Sequence, residues 1–219
     1  MAMSQRMRRR PVFARAYAGL AGPALERAGA DQYRRQLWAG LSGRVLEIGA
    51  GYGANFAFIP PEVERVIAVE PEPRLRAQAA EAVAGLGVPV EVMDGVAEAL
   101  PVSDGSVDAV VWCLTLCSVA DPTAALAETR RVLAPGGVVR FFEHGRSESS
   151  GMRRVQRLLD ATVWPVFNGG CHTGRDHLGA LAAAGFEVIE LERFVFPPMR
   201  VPFPAGEHML GTAVPKGDK

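Results

Sequence analysis

The residues Val45-Leu-Glu-Ile-Gly-Ala-Gly-Tyr-Gly-Ala-Asn-Phe56 decide the fold. From Arg44 to Ile48 the run is short and apolar, as a buried strand is, and Gly49, Gly51 and Gly53 break it. The pattern predicts a strand, a glycine turn and then a helix. Glycine lets the backbone approach a ligand where a Cβ would collide. The N-terminus of the following helix would offer free N–H groups to an anion.

Working outward, the alternation repeats. Residues 66–69, 90–93, 108–112 and 138–142 read as further strands. Residues 73–85 and 123–133 read as helices, the second stopped by Pro135-Gly136-Gly137. Residues 152–167 and 176–184 are helical, and 186–196 and 208–214 are two strands around a Pro-rich loop. Upstream, residues 11–40 have helical periodicity and residues 1–10 are polar and basic. Short strands separated by helices predict an α/β, doubly wound sheet with helices on both faces. The last two strands lack a helix-length connection and fit an antiparallel pair. In such sheets the ligand lies beyond the carboxyl ends of the strands.

Composition narrows the function. The chain has 219 residues with 24 basic and 24 acidic side chains, and 48% of it is hydrophobic. It therefore has a sizeable core and none of the charge excess of a nucleic-acid binder. At about 150 residues per domain the length suits one domain with an appendage, divided here into a tail and helical cap (1–40) and a main domain (41–219). Three cysteines, Cys113, Cys117 and Cys171, make no disulfide framework and suit a reducing, cytoplasmic setting. No apolar run reaches the length of a membrane-spanning helix, no signal peptide is read, and Arg8-Arg9-Arg10 reads as a solvated tail rather than a membrane contact.

Two ligands suit the glycine loop. Gly49, Gly51 and Ala54 satisfy the dinucleotide pattern, and Glu70 at the end of the second strand supplies its acidic partner for ribose hydroxyls. Against a dinucleotide stands Glu47, whose carboxylate just before the glycines is an awkward neighbour for a pyrophosphate but suits an ammonium group. Asp94, in Asp94-Gly95-Val96-Ala97, adds a carboxylate placed for an adenine amino group. Acidic ends on three successive strands suit a ligand with a cationic centre, an amino group and a ribose.

These motifs, with Val69-Glu-Pro71, Ser106-Val-Asp-Ala-Val-Val111 and Arg131-Val-Leu-Ala-Pro-Gly-Gly137, resemble the class I methyltransferases that use S-adenosylmethionine. Residues 108–119, Phe142-Glu-His144, Gly170-Cys-His-Thr-Gly-Arg175 and residues 207–214 narrow the resemblance to the methyltransferase-like 7 group, similar to small-molecule thiol S-methyltransferases. The resemblance implies a Rossmann-like seven-stranded sheet in the order 3-2-1-4-5-7-6, with strand 7 antiparallel. It implies that Gly49, Ala50 and Gly51 cradle the methionine end, with Glu47 at its ammonium and Asn55 at its carboxylate. Glu70 then holds the ribose, Pro71 or Glu72 flanks the adenine, Asp94 meets the adenine amino group, and Gly95, Val96 and Ala97 lie beside the ring. Cys113 and Leu114 fall near the sulfonium. Eukaryotic members carry an N-terminal membrane anchor, which the Arg-rich start of this chain does not match.

Methyl transfer is an in-line displacement that needs an aligned acceptor and exclusion of water. The resemblance points to a small, fairly apolar thiol, with oxygen or nitrogen acceptors of the quinone or phospholipid type as the alternative. A dinucleotide-dependent oxidoreductase and a non-catalytic S-adenosylmethionine-binding regulator are the other readings. A thiol ionises near pH 8.5 and is nucleophilic as the thiolate, so a base or a thiolate-stabilising site suffices. His144, at the carboxyl end of the fifth strand, is the first candidate base, and His172 on its glycine-rich loop reads as base or turn residue. Asp160 is placed to orient either histidine or to cap a helix. No metal site is expected, because the spacing of His144 and His172 matches no zinc pattern. Tyr17 either closes over the methionine end or packs in the core. The aromatic and proline-rich residues 194–204 either cap the acceptor or pack on the sheet.

Overall fold

The computed structural model describes residues 11–198 and 201–217. The Arg8-Arg9-Arg10 run, and Met199 and Arg200 of the aromatic loop, lie outside them. The strands are β1 (Gly43–Ile48), β2 (Val63–Val69), β3 (Val90–Met93), β4 (Val107–Cys113), β5 (Leu133–His144), β6 (Phe186–Val195) and β7 (Glu207–Pro215). They form a seven-stranded sheet in the order β3-β2-β1-β4-β5-β7-β6. β1 to β5 pair in parallel, and β7 runs antiparallel to both β5 and β6.

Alternation along the strands builds a core on each face. Leu46, Ile48, Val110, Trp112, Val139 and Phe141 belong to one buried layer. Val45, Val66, Ala68, Val111 and Phe142 belong to the other. Side chains two apart share a face of a strand, so each strand feeds both layers. The N-terminal helices α1 (Pro11–Ala16), α2 (Gly22–Arg27) and α3 (Ala30–Trp38) join the second layer through Ala30, Leu37 and Trp38.

The crossover helices start at capped N-termini. In α4 (Pro73–Ala82) the Glu72 carboxylate accepts from the N–H groups of Arg74 and Leu75. In α5 (Pro122–Val132) Asp121 does the same for Thr123 and Ala124. Proline follows the cap in both, where its missing N–H costs nothing and its φ is already helical. The C-terminal helices are α6 (Ser150–Asp160), α7 (Trp164–Phe167) and α8 (His177–Ala183).

Two expectations change. β5 begins at Leu133, directly after α5, and runs through Pro135-Gly136-Gly137 instead of starting behind it. The helix expected behind the glycine turn is absent: turns lead only to a 3-10 segment, Phe56–Phe58. Pro60 and Pro61 are the reason. Proline removes the N–H that a helix needs and forces the residue before it out of the helical region, and Ile59 is extended at φ −63°, ψ 119°.

The aromatic loop packs rather than caps. The Phe194 ring stacks on Tyr33 of α3 with centroids 4.1 Å apart, and Phe196 is fully buried in the same layer.

Candidate functional site

A cleft of about 1030 Å³, part of it open to solvent, lies at the carboxyl ends of the first four strands. Its wall comes from residues at or just past each strand end: Ile48, Gly49 and Gly51, residues 69–72, residues 95–98, and Leu114, Thr115 and residues 118–120. Phe13 and Tyr17 of the N-terminal helices and Gly169 complete it. Tyr17 therefore closes over the glycine loop, with its ring 3.6 Å from where a Gly51 Cβ would stand.

The glycine loop depends on its glycines at two positions. Gly49 has φ +73°, and a Cβ there would lie 2.3 Å from Thr115 Cγ2. Gly51 has φ +60°, and its N–H donates to Glu70 Oε2 at 2.9 Å. Glu70 Oε1 accepts from the Glu72 N–H at 2.8 Å. Burial raises the Glu70 carboxyl to about 7 against the pull of those two N–H donors.

Beneath the loop runs a buried polar chain. Arg34 Nη1 donates to Asn55 Oδ1 at 3.1 Å, and Asn55 Nδ2 donates to Glu47 Oε1. All three side chains are nearly inaccessible. Burial raises Glu47 to about 7, with the Asn55 hydrogen bond and the Arg34 charge opposing it. Three atoms of this chain have no partner: Arg34 Nε, Arg34 Nη2 and Glu47 Oε2. Unpaired buried donors and acceptors cost about 1–3 kcal/mol each. A ligand bearing both a carboxylate and an ammonium, as an amino acid does, matches that unmet set in sign.

Of the cofactor residues expected from sequence, Tyr17, Gly49, Gly51, Glu70, Pro71, Gly95, Val96, Ala97 and Leu114 line the cleft. Glu47, Ala50, Asn55 and Cys113 are buried behind it. Asp94 does not line it: its exposed carboxylate meets Arg76 Nη1 at 3.2 Å. Glu72 lines the cleft but spends one carboxylate oxygen capping α4. Arg34 went unrecognised, because on sequence alone it is one arginine among 24 cationic residues. Its one signal is a cation on the helix face that carries Ala30, Leu37 and Trp38.

The floor on the β5 side is tied together by Glu143, a fully buried carboxylate. It accepts from the N–H groups of Thr115 and Leu116, both at 2.7 Å, and of Cys117 at 3.4 Å. Leu114 begins this loop at φ 53°, and its N–H reaches the Phe142 carbonyl. A branched side chain in the left-handed region costs of order 1–3 kcal/mol and persists only where the surroundings hold it.

His144 is buried, with Nε2 3.1 Å from Cys171 Sγ and Nδ1 without a partner. Burial alone would lower the imidazole pKa, but the charge of Cys171 and the hydrogen bond to it outweigh that and raise it. Cys171 is pulled well below the ordinary thiol range by hydrogen bonding from Cys117 and by His144, while Cys117 is pushed up. His172 is elsewhere: its Nδ1 lies 2.8 Å from the Gly170 carbonyl and 3.2 Å from Arg175 Nη2. Asp160 orients neither histidine. Its Oδ1 accepts from the Thr173 N–H and hydroxyl and its Oδ2 from the Gly174 N–H, so both oxygens hold the 173–174 turn.

The dinucleotide alternative loses its physical basis here. The glycine turn leads into no helix, so no helix N-terminus is available to a pyrophosphate. Just before the turn stands the buried carboxylate of Glu47 instead.

Comparison with known proteins agrees. Residues 46–141 match the family model described as a methyltransferase domain. The human thiol S-methyltransferase TMT1B is 36% identical over 180 residues, covering 80% of this chain and 72% of that protein. Human thiol S-methyltransferase TMT1A is 37% identical over 168 residues, 74% of this chain and 68% of that one. A solved S-adenosylmethionine-dependent methyltransferase from Thermotoga maritima superposes with a TM-score of 0.67 at 24% identity, over 93% of this chain and all of that one, a likeness of fold.

Proposed function

The chain belongs to the S-adenosylmethionine-dependent methyltransferases, and from that membership we propose that it methylates the sulfur of a small, fairly apolar thiol. The observation that carries the acceptor is the 36% identity to a thiol S-methyltransferase over 80% of the chain. A match of that extent necessarily takes in residues 117 to 171, and with them the acceptor side of the cleft.

Bound S-adenosylmethionine supplies an electrophilic methyl group on a sulfonium centre. Glu47 receives the ammonium of its methionine end, and Arg34 with Asn55 receives the carboxylate. This assignment satisfies the three orphaned atoms of the buried chain. Glu70 accepts from the ribose hydroxyls while keeping its bonds to Gly51 and Glu72. Pro71 and the Gly95–Val96–Ala97 backbone flank the adenine. Tyr17 covers the methionine end, and Cys113 and Leu114 pack beside the sulfonium.

The acceptor side is the wall at Leu114, Thr115, residues 118–120 and Gly169, with His144 and Cys171 buried behind it. His172 and Asp160 are positioning residues that hold the loop carrying Cys171. A thiol needs its thiolate stabilised rather than a strong base, because its reference pKa is about 8.5. Oxygen acceptors ionise at higher pH and would need a free base within reach. The three cysteines are unpaired, which suits a reducing cytoplasm. Among the described residues no helix is long and apolar enough to cross a membrane.

The test is formation of S-adenosylhomocysteine with a panel of alkyl and aryl thiols, phenols, amines and a phospholipid, after binding is measured by calorimetry. Turnover is expected with thiols. A phenol, amine or lipid methylated faster than every thiol would overturn the acceptor assignment.

A further inference from the structure

Three side chains from three separated segments converge on the β5 side of the cleft. Cys117 sits on the loop after β4, His144 ends β5, and Cys171 sits on the loop between α7 and α8. One atom of each, the two Sγ and an imidazole nitrogen, lie within 4.8 Å of one another. No pair among the cysteines is a disulfide. We propose that Cys117, His144 and Cys171 bind a zinc ion whose fourth coordination position is taken by the acceptor thiol. The second half of this proposal rests on the thiol reading above.

The donor set and its spacing select the metal. Two thiolates and an imidazole suit zinc among common divalent ions. Zn–S bonds of about 2.3 Å and Zn–N bonds of about 2.0 Å at tetrahedral angles place ligand atoms roughly 3.5–3.8 Å apart. His144 Nε2 and Cys171 Sγ stand at 3.1 Å, so an ion needs shifts of well under an ångström between them.

The supporting hydrogen bonds are those of a built site. Glu143 fixes the Cys117 backbone, Asp160 fixes the 173–174 turn, and the His172 N–H donates to the Cys117 carbonyl at 2.9 Å, joining the two cysteine loops. His144 has no such anchor at Nδ1, so its ring is held mainly through Cys171. Charge balances as well. Zn²⁺ with two thiolates is neutral, and the nearby buried charges are one carboxylate, Glu143, and one guanidinium, Arg175, whose Nη1 donates to the Leu116 carbonyl.

Three protein ligands leave one tetrahedral corner, the mark of a catalytic rather than a structural zinc. All three ligands are buried just behind the cleft wall: Ser118, next to Cys117, lines the cleft, and so does Gly169, two residues before Cys171, so an acceptor reaches that corner through this part of the wall. An acceptor RSH gives its proton to solvent on coordination. Its sulfur then takes the methyl group as the carbon–sulfonium bond breaks, giving RSCH₃ and S-adenosylhomocysteine.

The experiment uses the untagged full chain, expressed with added zinc and purified with a phosphine reductant and no chelator. Metal analysis is expected to give one zinc per chain, falling below a tenth in Cys117→Ser and Cys171→Ser. Should either variant fail to fold, cobalt substitution of the wild type gives the same answer: a thiolate-to-cobalt charge-transfer band with intense tetrahedral d–d bands. Adding an alkyl thiol is expected to shift those bands. Bands moved by thiol without any methyl transfer would uphold the metal site while the thiol methyltransferase reading fails. Thiol methylation at full rate by wild type holding no metal would overturn the metal site and leave that reading intact. A Cys117–Cys171 disulfide in the reduced preparation, or bound cobalt indifferent to thiol, would also overturn it.

Discussion

The two sides of the cleft are built on different plans. The side made by β1, β2 and β3 takes most of its groups from residues close together in the chain: Glu47, Gly49, Gly51 and Asn55 fall within nine residues and Glu70 follows at the next strand end, with Arg34 and Tyr17 added from the N-terminal helices. The side made by β4 and β5 assembles Cys117, His144 and Cys171 from segments about 27 residues apart, bound together by Glu143 and Asp160. On the reading proposed here, a ligand common to many enzymes is held mainly by a local motif, whereas the acceptor, particular to each, meets groups that only the tertiary fold unites. Substitutions should separate accordingly: one side governs cofactor affinity, the other turnover.

The largest effect on the cofactor side is expected from Arg34→Met. It strips the donor from Asn55 Oδ1 and leaves Glu47 buried without its cation. Hydrogen bonds to charged groups are worth about 1.5–3 kcal/mol, so S-adenosylmethionine should bind about 100-fold more weakly by calorimetry. Arg34→Lys should recover little, since a lysine cannot supply the guanidinium fork. Binding within threefold of wild type would break the assignment of Arg34 to the methionine carboxylate.

Next comes pH. Glu47 titrates at about 7 in the ligand-free protein, raised by burial from its ordinary 4.5. An ammonium group is received by the carboxylate form, so affinity should fall about tenfold per pH unit below 7. Stability of the free protein runs the other way. A carboxyl with a raised folded-state pKa contributes fully below pH 4.5, and that contribution is lost as pH rises through 7. Between pH 6 and 8 the free protein should therefore lose Glu47's contribution while cofactor binding improves. Melting curves with and without S-adenosylmethionine over pH 5.5–8.5 measure both, and Glu47→Gln should remove its share of each, leaving the shares of Glu70 and Glu143, whose carboxyls burial also raises to about 7.

On the other side, Asp160→Asn removes a charged acceptor from Thr173 and Gly174. It should lower kcat for thiol methylation about tenfold while cofactor Kd stays within twofold, as expected for a side chain that holds the Cys171 loop. A parallel change in Kd would erase the division between the two sides.

The division also marks what the sequence made legible. The strands and the glycine loop follow from strand-length apolar runs and glycine punctuation, which are local, whereas the sheet order came only with the family resemblance. The missing helix after Asn55 was legible too, in Pro60-Pro61, but the glycine pattern pointed past it. Arg34 was not legible, because burial of a cation on an amphipathic helix is decided by what packs over it. The Cys117–His144–Cys171 group was not, because its spacing of 27 and 27 residues is set by the lengths of α5, β5 and α6 and not by any metal motif. Asp160 has the composition of a histidine partner, yet the 173–174 turn claims both of its oxygens.

Asp94 sharpens the comparison from within the legible side, and its effect should be the smallest. It follows β3 at the position the motif assigns to the adenine amino group. In the fold, Gly95, Val96 and Ala97 turn into the cleft, and the Asp94 side chain turns out to Arg76, with half of its surface exposed. Exposed ion pairs contribute about 0–1 kcal/mol. Asp94→Ala should therefore change S-adenosylmethionine affinity by no more than about threefold, and thiol turnover less. Gly95→Val should do far more, because a Cβ there meets Pro101 Cδ at 2.8 Å and Val69 Cγ1 at 2.9 Å, behind cleft-lining backbone proposed to flank the adenine. If Asp94→Ala instead weakens binding as much as Arg34→Met does, the carboxylate swings into the cleft when the cofactor binds. The local motif would then have reported the bound state more faithfully than the side chain's position in the ligand-free protein.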